Sequence, residues 1–404
     1  MPIDHCEYFA DKGQDREQSR GFSRCAALLL LLILLLPAHR RAAAYSLLTH
    51  EQLIDLTWQD SIVPLLLSRY PNLTPAQLDE ARAYAYGGCV IQDIGYYPFG
   101  DHELSLLTHY VRSGDFVVSL FRNAQNADEL AFAVGALSHY IGDAIGHSVA
   151  TNRAVPVEFP KLAAKYGPIV SYAEGEHQHV QAEFAFDIDE IAHHRMAPLS
   201  YLRHIGLKVP LRQLALAYYQ TYGITEDFTK GKSHRINVRG YRFAVRTFIP
   251  RIAFAVTILH RSHEPADPDT PEYRAVQKEV DAETKKDDWD AYRGKAGIGT
   301  YTLAGLLYIL PKVGPLKMVS VKGPTEATDA DYFKSVALSL AVLRHLTARF
   351  TPPHGASGGE SNRVETLAEL FPQLAASDPD ALLRSNDPLH PLPNRDLDTG
   401  HIVR

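Results

Sequence analysis

Apolar residues recur at helical spacing along most of the chain, whereas the alternation of apolar and polar residues that marks strands is nearly absent. The clearest stripe repeats every four residues and consists of Ile54, Trp58, Ile62 and Leu66. Residues at this spacing lie on one face of an α-helix, which then needs a partner surface to cover it. The chain is therefore predicted to be all-α, with helices packed on helices.

Capping signals mark the start of several helices. Thr74 and Gln77 form a capping box, and two glycines at 87–88 end the helix that it starts. Asn126 followed by Glu129 starts another helix, which carries apolar residues toward a core. Further helices are predicted over residues 176–195, 212–222, 241–260 and 329–349.

The composition suits one large globular domain. The chain has 404 residues, of which 46% are hydrophobic and 22% charged, and this is enough apolar material for a sizeable core. Its formal net charge of -6 argues against a surface for duplex nucleic acid, because phosphate contacts dominate such binding. A pocket that binds one phosphate through metal ions is still compatible with this charge. No feature of the sequence indicates an obligate protein partner.

The first 44 residues resemble an export signal. Arginines precede an apolar run at 26–36, and the alanines that end at Ala44 offer a cleavage site before Tyr45. The run is too short for a comfortable membrane span. We predict cleavage near Ala44 and a secreted or periplasmic protein; the alternative is an uncleaved anchor. Cleavage would leave Cys89 as the single cysteine, so that no internal disulfide could form.

The rest of the chain divides into two parts. Residues 45–350 are predicted to form the helical domain, in which the apolar but proline-broken stretch at 303–318 is core or interface. Residues 351–404 are predicted to be a linker rich in Pro, Gly and Ser, followed by a turn-rich tail.

Two groups of histidines and carboxylates stand at helical spacing. His139, Asp143 and His147 are four residues apart, as are His179 and Glu183, so each group lies on one face of a helix. The outer two histidines of the first group would be ~12 Å apart along the helix axis. That distance is too long for one ion, but it suits a central carboxylate that bridges two. Imidazole and carboxylate are the usual zinc ligands where thiolate is lacking.

Each of these residues also has a plainer interpretation. Pairs of His and Asp or Glu four residues apart can serve as ordinary salt bridges on a helix surface. Several other histidines are interpreted as surface or satisfied core residues: His102, His177, His193, His194, His260 and His263. Cys89 is interpreted as a small buried residue.

The order of these residues resembles the zinc-dependent phospholipase C family, which shares an all-α scaffold with the single-strand-specific zinc nucleases. In that family the mature chain begins with an aromatic residue, whose free amine and carbonyl bind zinc, and a His follows soon after. Tyr45 and His50 match these positions. Asp93 matches an Asp after the second helix, and His109, which precedes Tyr110, matches a later His.

The resemblance implies a bundle of helices with a trinuclear zinc site, about three Zn²⁺ per chain. One ion would be held by Asp93, His109, His139 and Asp143. A second would be held by His147, His179 and Glu183, with room for water. The third would be held by the amine and carbonyl of Tyr45, by His50 and by Asp143. Asp93 would also act in catalysis, by orienting or deprotonating the attacking water.

Three functions remain open from the sequence. The resemblance implies a hydrolase that cleaves glycerophospholipids to diacylglycerol and a phosphorylated head group, with its phospholipid substrate met at a membrane surface. A nuclease or phosphodiesterase on the same scaffold would need an aromatic pocket to stack a base. A non-catalytic binding protein stabilised by zinc would need the ligands alone. Aromatic residues after Asp93, namely Tyr96, Tyr97 and Phe99 with Pro98, either line a lipid-facing mouth or anchor a buried loop.

Overall fold

A computed structural model describes residues 46–97, 100–225, 232–260, 266–294, 298–310, 321, 323–350 and 391–403. The helices are α1 (Leu47–Thr57), α2 (Val63–Arg69), α3 (Pro75–Gly88), α4 (His102–Tyr110), α5 (Ser113–Asn123), α6 (Ala127–Gly146), α7 (Asn152–Glu158), α8 (Pro160–Tyr166), α9 (Tyr172–Ala192), α10 (Leu199–Ile205), α11 (Leu211–Tyr222), α12 (Lys232–Phe243), α13 (Ile249–His260), α14 (Pro271–Lys286), α15 (Trp289–Tyr292), α16 (Ile298–Ile309) and α17 (Glu326–Phe350). Within these ranges the fold is all-α, as predicted, and the pairing of Arg395 with Ile402 is an isolated bridge.

Helix α6 lies at the centre and packs against α1, α3, α5 and α17. Its approach to α3 is close because glycine faces backbone at two points. A Cβ on Gly135 would stand 2.2 Å from the carbonyl oxygen of Ala85, and one on Gly88 would stand 2.1 Å from that of Phe132. Any larger residue at either glycine would push the two helices apart. α6 is therefore held rigidly, and it carries the central group of histidines and carboxylates.

The stripe predicted at the start of the chain is buried, with each of its four side chains at most 2% exposed. It runs from α1 through a π-helical segment, Trp58–Ile62, into α2. Pro64 stands in the first turn of α2 and has no N–H to donate to the preceding turn. A π-helical segment is one way for a helix to accommodate such a lost hydrogen bond. A second π-helical segment, His147–Thr151, follows α6 directly.

Most of the predicted helix boundaries agree with the structure. The capping box at Thr74 has both of its hydrogen bonds, and the side chain of Asn126 accepts the N–H of Glu129. The helix predicted at 241–260 is instead two helices, α12 and α13, joined by a π-helical segment, Ala244–Phe248. In the apolar stretch at 303–318, α16 covers the part up to Ile309, and residues 311–320 lie outside the described ranges.

The predicted leader, Tyr45 and the predicted linker also lie outside the described residues. Among the helices that are described, none combines the length and the apolar character needed to cross a membrane. Residues 391–403 are described, and they pack against the helical domain. The hydroxyl of Tyr140 donates to the carbonyl oxygen of Pro393 at 2.6 Å, and the N–H of Leu397 donates to that of His109 at 3.0 Å. The C-terminal segment, residues 391–403, thus lies against α4 and α6.

Candidate metal centre

Four predicted ligands from three elements meet in one buried group. A 3-10 turn, Ile91–Gly95, carries Asp93, α4 carries His109, and α6 carries His139 and Asp143. The Nε2 atom of His109 lies 3.2 Å from Oδ1 of Asp93 and 3.3 Å from Oδ2 of Asp143. The Nε2 atom of His139 lies 3.1 Å from the same Oδ2 atom and 4.0 Å from Oδ1 of Asp93. Four ligands of a tetrahedral zinc ion stand ~3.3 Å from one another, so the group fits one such ion.

Backbone carbonyls orient both histidines of this group. Nδ1 of His109 lies 2.7 Å from the carbonyl oxygen of Ser105, and Nδ1 of His139 lies 3.0 Å from that of Cys89. Each ring therefore donates Nδ1–H to the backbone and turns Nε2 toward the carboxylates. This outer contact fixes the tautomer that a metal ligand needs. Cys89 itself is a buried thiol, as predicted, and its part in the site is its carbonyl oxygen.

Asp143 faces histidines on two sides. Its Oδ2 atom faces His109 and His139, while its Oδ1 atom lies 3.2 Å from Nε2 of His50. Neither oxygen makes a hydrogen bond among the described residues, although three imidazoles surround them. The ring of His50 stacks on that of His139 at 4.3 Å. The two oxygens of this one carboxylate thus face different histidines, as do the oxygens of a carboxylate that bridges two metal ions.

The start of α1 is fixed beside this carboxylate by Asp187 of α9. The N–H groups of Leu48 and Thr49 each donate to Asp187 at 3.0 Å, and the Thr49 hydroxyl donates at 2.8 Å. A carboxylate at the N-terminus of a helix satisfies N–H groups that lack partners within the helix. Ser46, the first described residue, is only 8% exposed. The first described residue therefore lies inside the protein, four positions before His50.

A second group contains the three remaining predicted ligands that the structure describes, His147, His179 and Glu183. Nε2 of His179 lies 3.2 Å from Oε1 of Glu183, and Nε2 of His147 lies 3.7 Å from the same oxygen. None of these three atoms has a hydrogen-bond partner in the described part of the chain. His147 is the first residue of the π-helical segment after α6, while the other two residues belong to α9.

The charges of both groups favour a cation. Burial raises the pKa of Glu183, and the nearby carboxylates of Asp143 and Asp93 raise it further. Burial would raise the pKa of Asp143 as well, but His139, His109 and His50 hold it well below its usual range. Burial, with His147 nearby, lowers the pKa of His179 to about 3, which leaves the neutral imidazole that binds metal. Buried carboxylates are costly unless a cation compensates them, so the residues present fit zinc.

Asp398 lies beside the second group, and the sequence did not predict this contact. Its Oδ1 atom lies 2.9 Å from Nδ1 of His147. Asp398, His147 and His179 form a cluster able to hold a metal ion, and this cluster overlaps the second group. It belongs to the C-terminal segment, 251 positions from His147. No local spacing could have shown this contact, because periodicity reports only neighbours on one helix.

The histidines interpreted as ordinary residues stay apart from the described clusters. His177 and His194 are exposed, and His193 pairs with Asp189 on its own helix at 3.3 Å. His102 is half-buried and packs on Tyr96 with ring centres 5.2 Å apart. His263 and the side chain of His260 lie outside the described residues.

The two described aromatic residues after Asp93 are both buried, in agreement with the second of the interpretations made from the sequence. Tyr97 is buried against Tyr241 with ring centres 5.5 Å apart, so it anchors the loop to the core. Tyr96 packs instead on His109 with ring centres 5.3 Å apart, and with Tyr172 it forms a small buried cluster beside the predicted ligands. Pro98 and Phe99 lie outside the described residues.

The helices converge on two adjoining groups of buried imidazoles and carboxylates. Within its described residues the protein is therefore all-α, with a candidate centre for more than one metal ion. The family model of zinc-dependent phospholipase C matches residues 49–227. The resemblance found in the sequence is therefore confirmed over this part of the chain. That part contains every described ligand that the sequence predicted, from His50 to Glu183, and it excludes Tyr45 and Asp398. The chain has no significant match among curated proteins or solved structures.

The family match supports a zinc-dependent hydrolase of the phospholipase type. The clusters of His and Asp side chains supply candidate ligands for that zinc.

Proposed function

We propose that the protein hydrolyses glycerophospholipids to diacylglycerol and a phosphorylated head group. The observation that carries this proposal is the position of Asp143, whose two oxygens face separate histidines within the region that matches the family. His147 of the second group directly follows α6, which carries His139 and Asp143, and the carboxylates of Asp143 and Asp93 lie near enough to Glu183 to raise its pKa. Ions in both groups could therefore act on one substrate.

The residues present suit hydrolysis of a phosphodiester. Zinc ions held ~3.5–4 Å apart supply hydroxide near neutral pH and stabilise the attacking and leaving oxygens at phosphorus. Asp143 would offer one oxygen on the side of His109 and His139 and the other on the side of His50, and so would contribute to holding more than one ion. Asp93 orients the attacking water or accepts its proton, in addition to its contact with His109. A carboxylate can perform either task if it lies within hydrogen-bond reach of that water.

Two tyrosines beside the ligands suit the phosphate. The hydroxyls of Tyr96 and Tyr172 are buried and have no hydrogen-bond partner among the described residues. Tyr96 packs on His109 and Tyr172 on His179, with ring centres 5.3 and 5.6 Å apart. Burial raises the pKa of both phenols, so each keeps its proton at neutral pH. We propose that these hydroxyls donate hydrogen bonds to the non-bridging oxygens of the substrate phosphate.

A substrate comparison tests the proposed activity. Zinc-loaded protein is expected to release phosphocholine and diacylglycerol from phosphatidylcholine vesicles, and to leave single-stranded DNA and RNA intact. The matched control is the Asp143→Asn variant, purified and assayed in the same way, because activity that is absent from it belongs to the metal centre of this protein and not to a contaminant.

Two outcomes would contradict the proposal. Cleavage of single-stranded DNA or RNA without action on lipid would make the protein a nuclease on the same scaffold. Full zinc content without hydrolysis of either substrate would make it a binding protein that zinc stabilises.

A further inference from the structure

The carboxylate of Asp398 is held firmly beside the second group. It is 4% exposed, and the N–H of Tyr172 donates to both of its oxygens, at 3.1 and 3.2 Å. The side chain of Asn152 donates to its carbonyl oxygen at 2.8 Å. Its own N–H donates to the carboxylate of Asp396 at 3.0 Å. Backbone and side chain are therefore both fixed, so the contact with His147 does not depend on a loose tail.

The C-terminal segment is built to approach α6 closely. Gly400 has φ +73°, and a Cβ there would stand 2.7 Å from the carbonyl oxygen of Ala144, the residue after Asp143. Only glycine combines this left-handed conformation with so close an approach. At the other end of the segment, the Ser113 hydroxyl donates to the carbonyl oxygen of Arg395 at 2.7 Å. The segment thus packs beside the ligand-bearing part of α6.

The two nitrogens of His147 have different surroundings. Nδ1 lies 2.9 Å from Asp398, at hydrogen-bond distance, whereas Nε2 lies 3.7 Å from Glu183 with no hydrogen bond among the described residues. The ring therefore donates its Nδ1–H to Asp398 and keeps a free lone pair on Nε2. His109 and His139 show the same division, with carbonyl oxygens in place of the carboxylate.

We propose that Asp398 is a positioning residue of the second metal site, and that the C-terminal segment completes this site by bringing a carboxylate to His147. The carboxylate fixes the ring in the tautomer that offers Nε2 to the metal, and its charge makes the ring a stronger ligand. Asp398 itself lies outside the region that matches the family, whereas His147 lies within it. The inference rests on a metal in the second group, but it does not depend on the substrate.

Metal affinity tests the inference without reference to activity. In Asp398→Asn the acceptor loses its charge at nearly unchanged volume, and we expect the weakest-bound zinc to dissociate about 10- to 100-fold more readily in competition with a chromophoric chelator. The number of ions bound at saturating zinc should stay as in the unmodified protein. With cobalt in place of zinc, the visible absorption of one ion should shift, because its imidazole ligand changes in basicity.

Asp396→Asn is the matched control. Asp396 lies in the same turn and accepts the N–H groups of Asp398 and Thr399, but it does not contact His147. This variant should loosen the turn to a similar degree while it leaves zinc affinity within about twofold of the original. Thermal unfolding of the metal-free proteins reports whether either change affects the fold itself.

Three results would overturn the positioning role. Unchanged zinc affinity in Asp398→Asn would show that the carboxylate does not act on the metal. Loss of one ion even at saturating zinc would make Asp398 a direct ligand. An equal loss of affinity in Asp396→Asn would assign the effect to general loosening of the C-terminal segment. An unmodified protein with no second ion would instead contradict the metal centre as a whole.

Discussion

Replacing Asp143 with asparagine is expected to remove at least two metal ions together with the hydrolytic activity. This carboxylate faces His109 and His139 with one oxygen and His50 with the other. An amide carries no charge and offers one oxygen, so it cannot bridge two cations. The loss should exceed the ~10–100-fold cost of removing an outer partner of a metal site. Elemental analysis and turnover of phosphatidylcholine, both measured on the purified variant, check this expectation.

His102→Ala is the control for this change. His102 lies on α4, as His109 does, but it belongs to none of the described metal clusters. We expect this variant to keep its zinc and to lose little activity. Circular dichroism should show that both variants retain their helices, so that metal loss is separated from unfolding. Full zinc and turnover in Asp143→Asn would show that His139, Asp143 and His147 form an ordinary helix face.

The second large effect concerns the start of the mature chain. We propose that cleavage after Ala44 frees the amine of Tyr45, which then completes a third site with His50 and Asp143. The buried Ser46 and the contacts of Asp187 with the first turn of α1 support this proposal, because they hold the start of the described chain inside the protein, four positions before His50. An α-amine has a pKa near ~8 and yields its proton to a cation at little cost. An amide nitrogen at the same place is a far poorer ligand.

Protein with one extra alanine before Tyr45 is therefore expected to bind one zinc ion fewer and to lose most of its activity. The precursor with its leader should be weakly active for the same reason. N-terminal sequencing of the exported protein, with zinc analysis of the extended form beside protein that begins at Tyr45, provides the measurement. A mature terminus other than Tyr45 would rule out its amine as a ligand. An extended form with undiminished zinc and rate would do so as well.

Local spacing predicted the parts of the site that lie on single helices. His139 and Asp143 are one turn apart on α6, and His179 and Glu183 are one turn apart on α9, so their shared faces follow from the helix repeat. In the structure the nitrogen and the oxygen that face each other in these pairs lie 3.1 and 3.2 Å apart. Periodicity could not show that these helices meet, since packing between distant segments depends on the whole core.

The remaining ligands required information beyond periodicity. His50, Asp93 and His109 stand on different elements, and the family resemblance alone placed them in the set. Asp398 lies beyond the region that the family model matches, in a tail whose turn-rich composition gave no indication of its position. Its contact with His147 arises only in the tertiary structure, because the two residues are far apart in the sequence.

The zinc content of protein that begins at Tyr45, purified without chelator, tests the central claim most directly. The arrangement of the ligands predicts about three zinc ions per chain, one in each tetrahedral or open site that the imidazoles and carboxylates can form. Atomic emission spectrometry against a protein concentration from amino-acid analysis gives this ratio. A value near three would support the multinuclear centre, whereas one zinc ion or none per chain would contradict it.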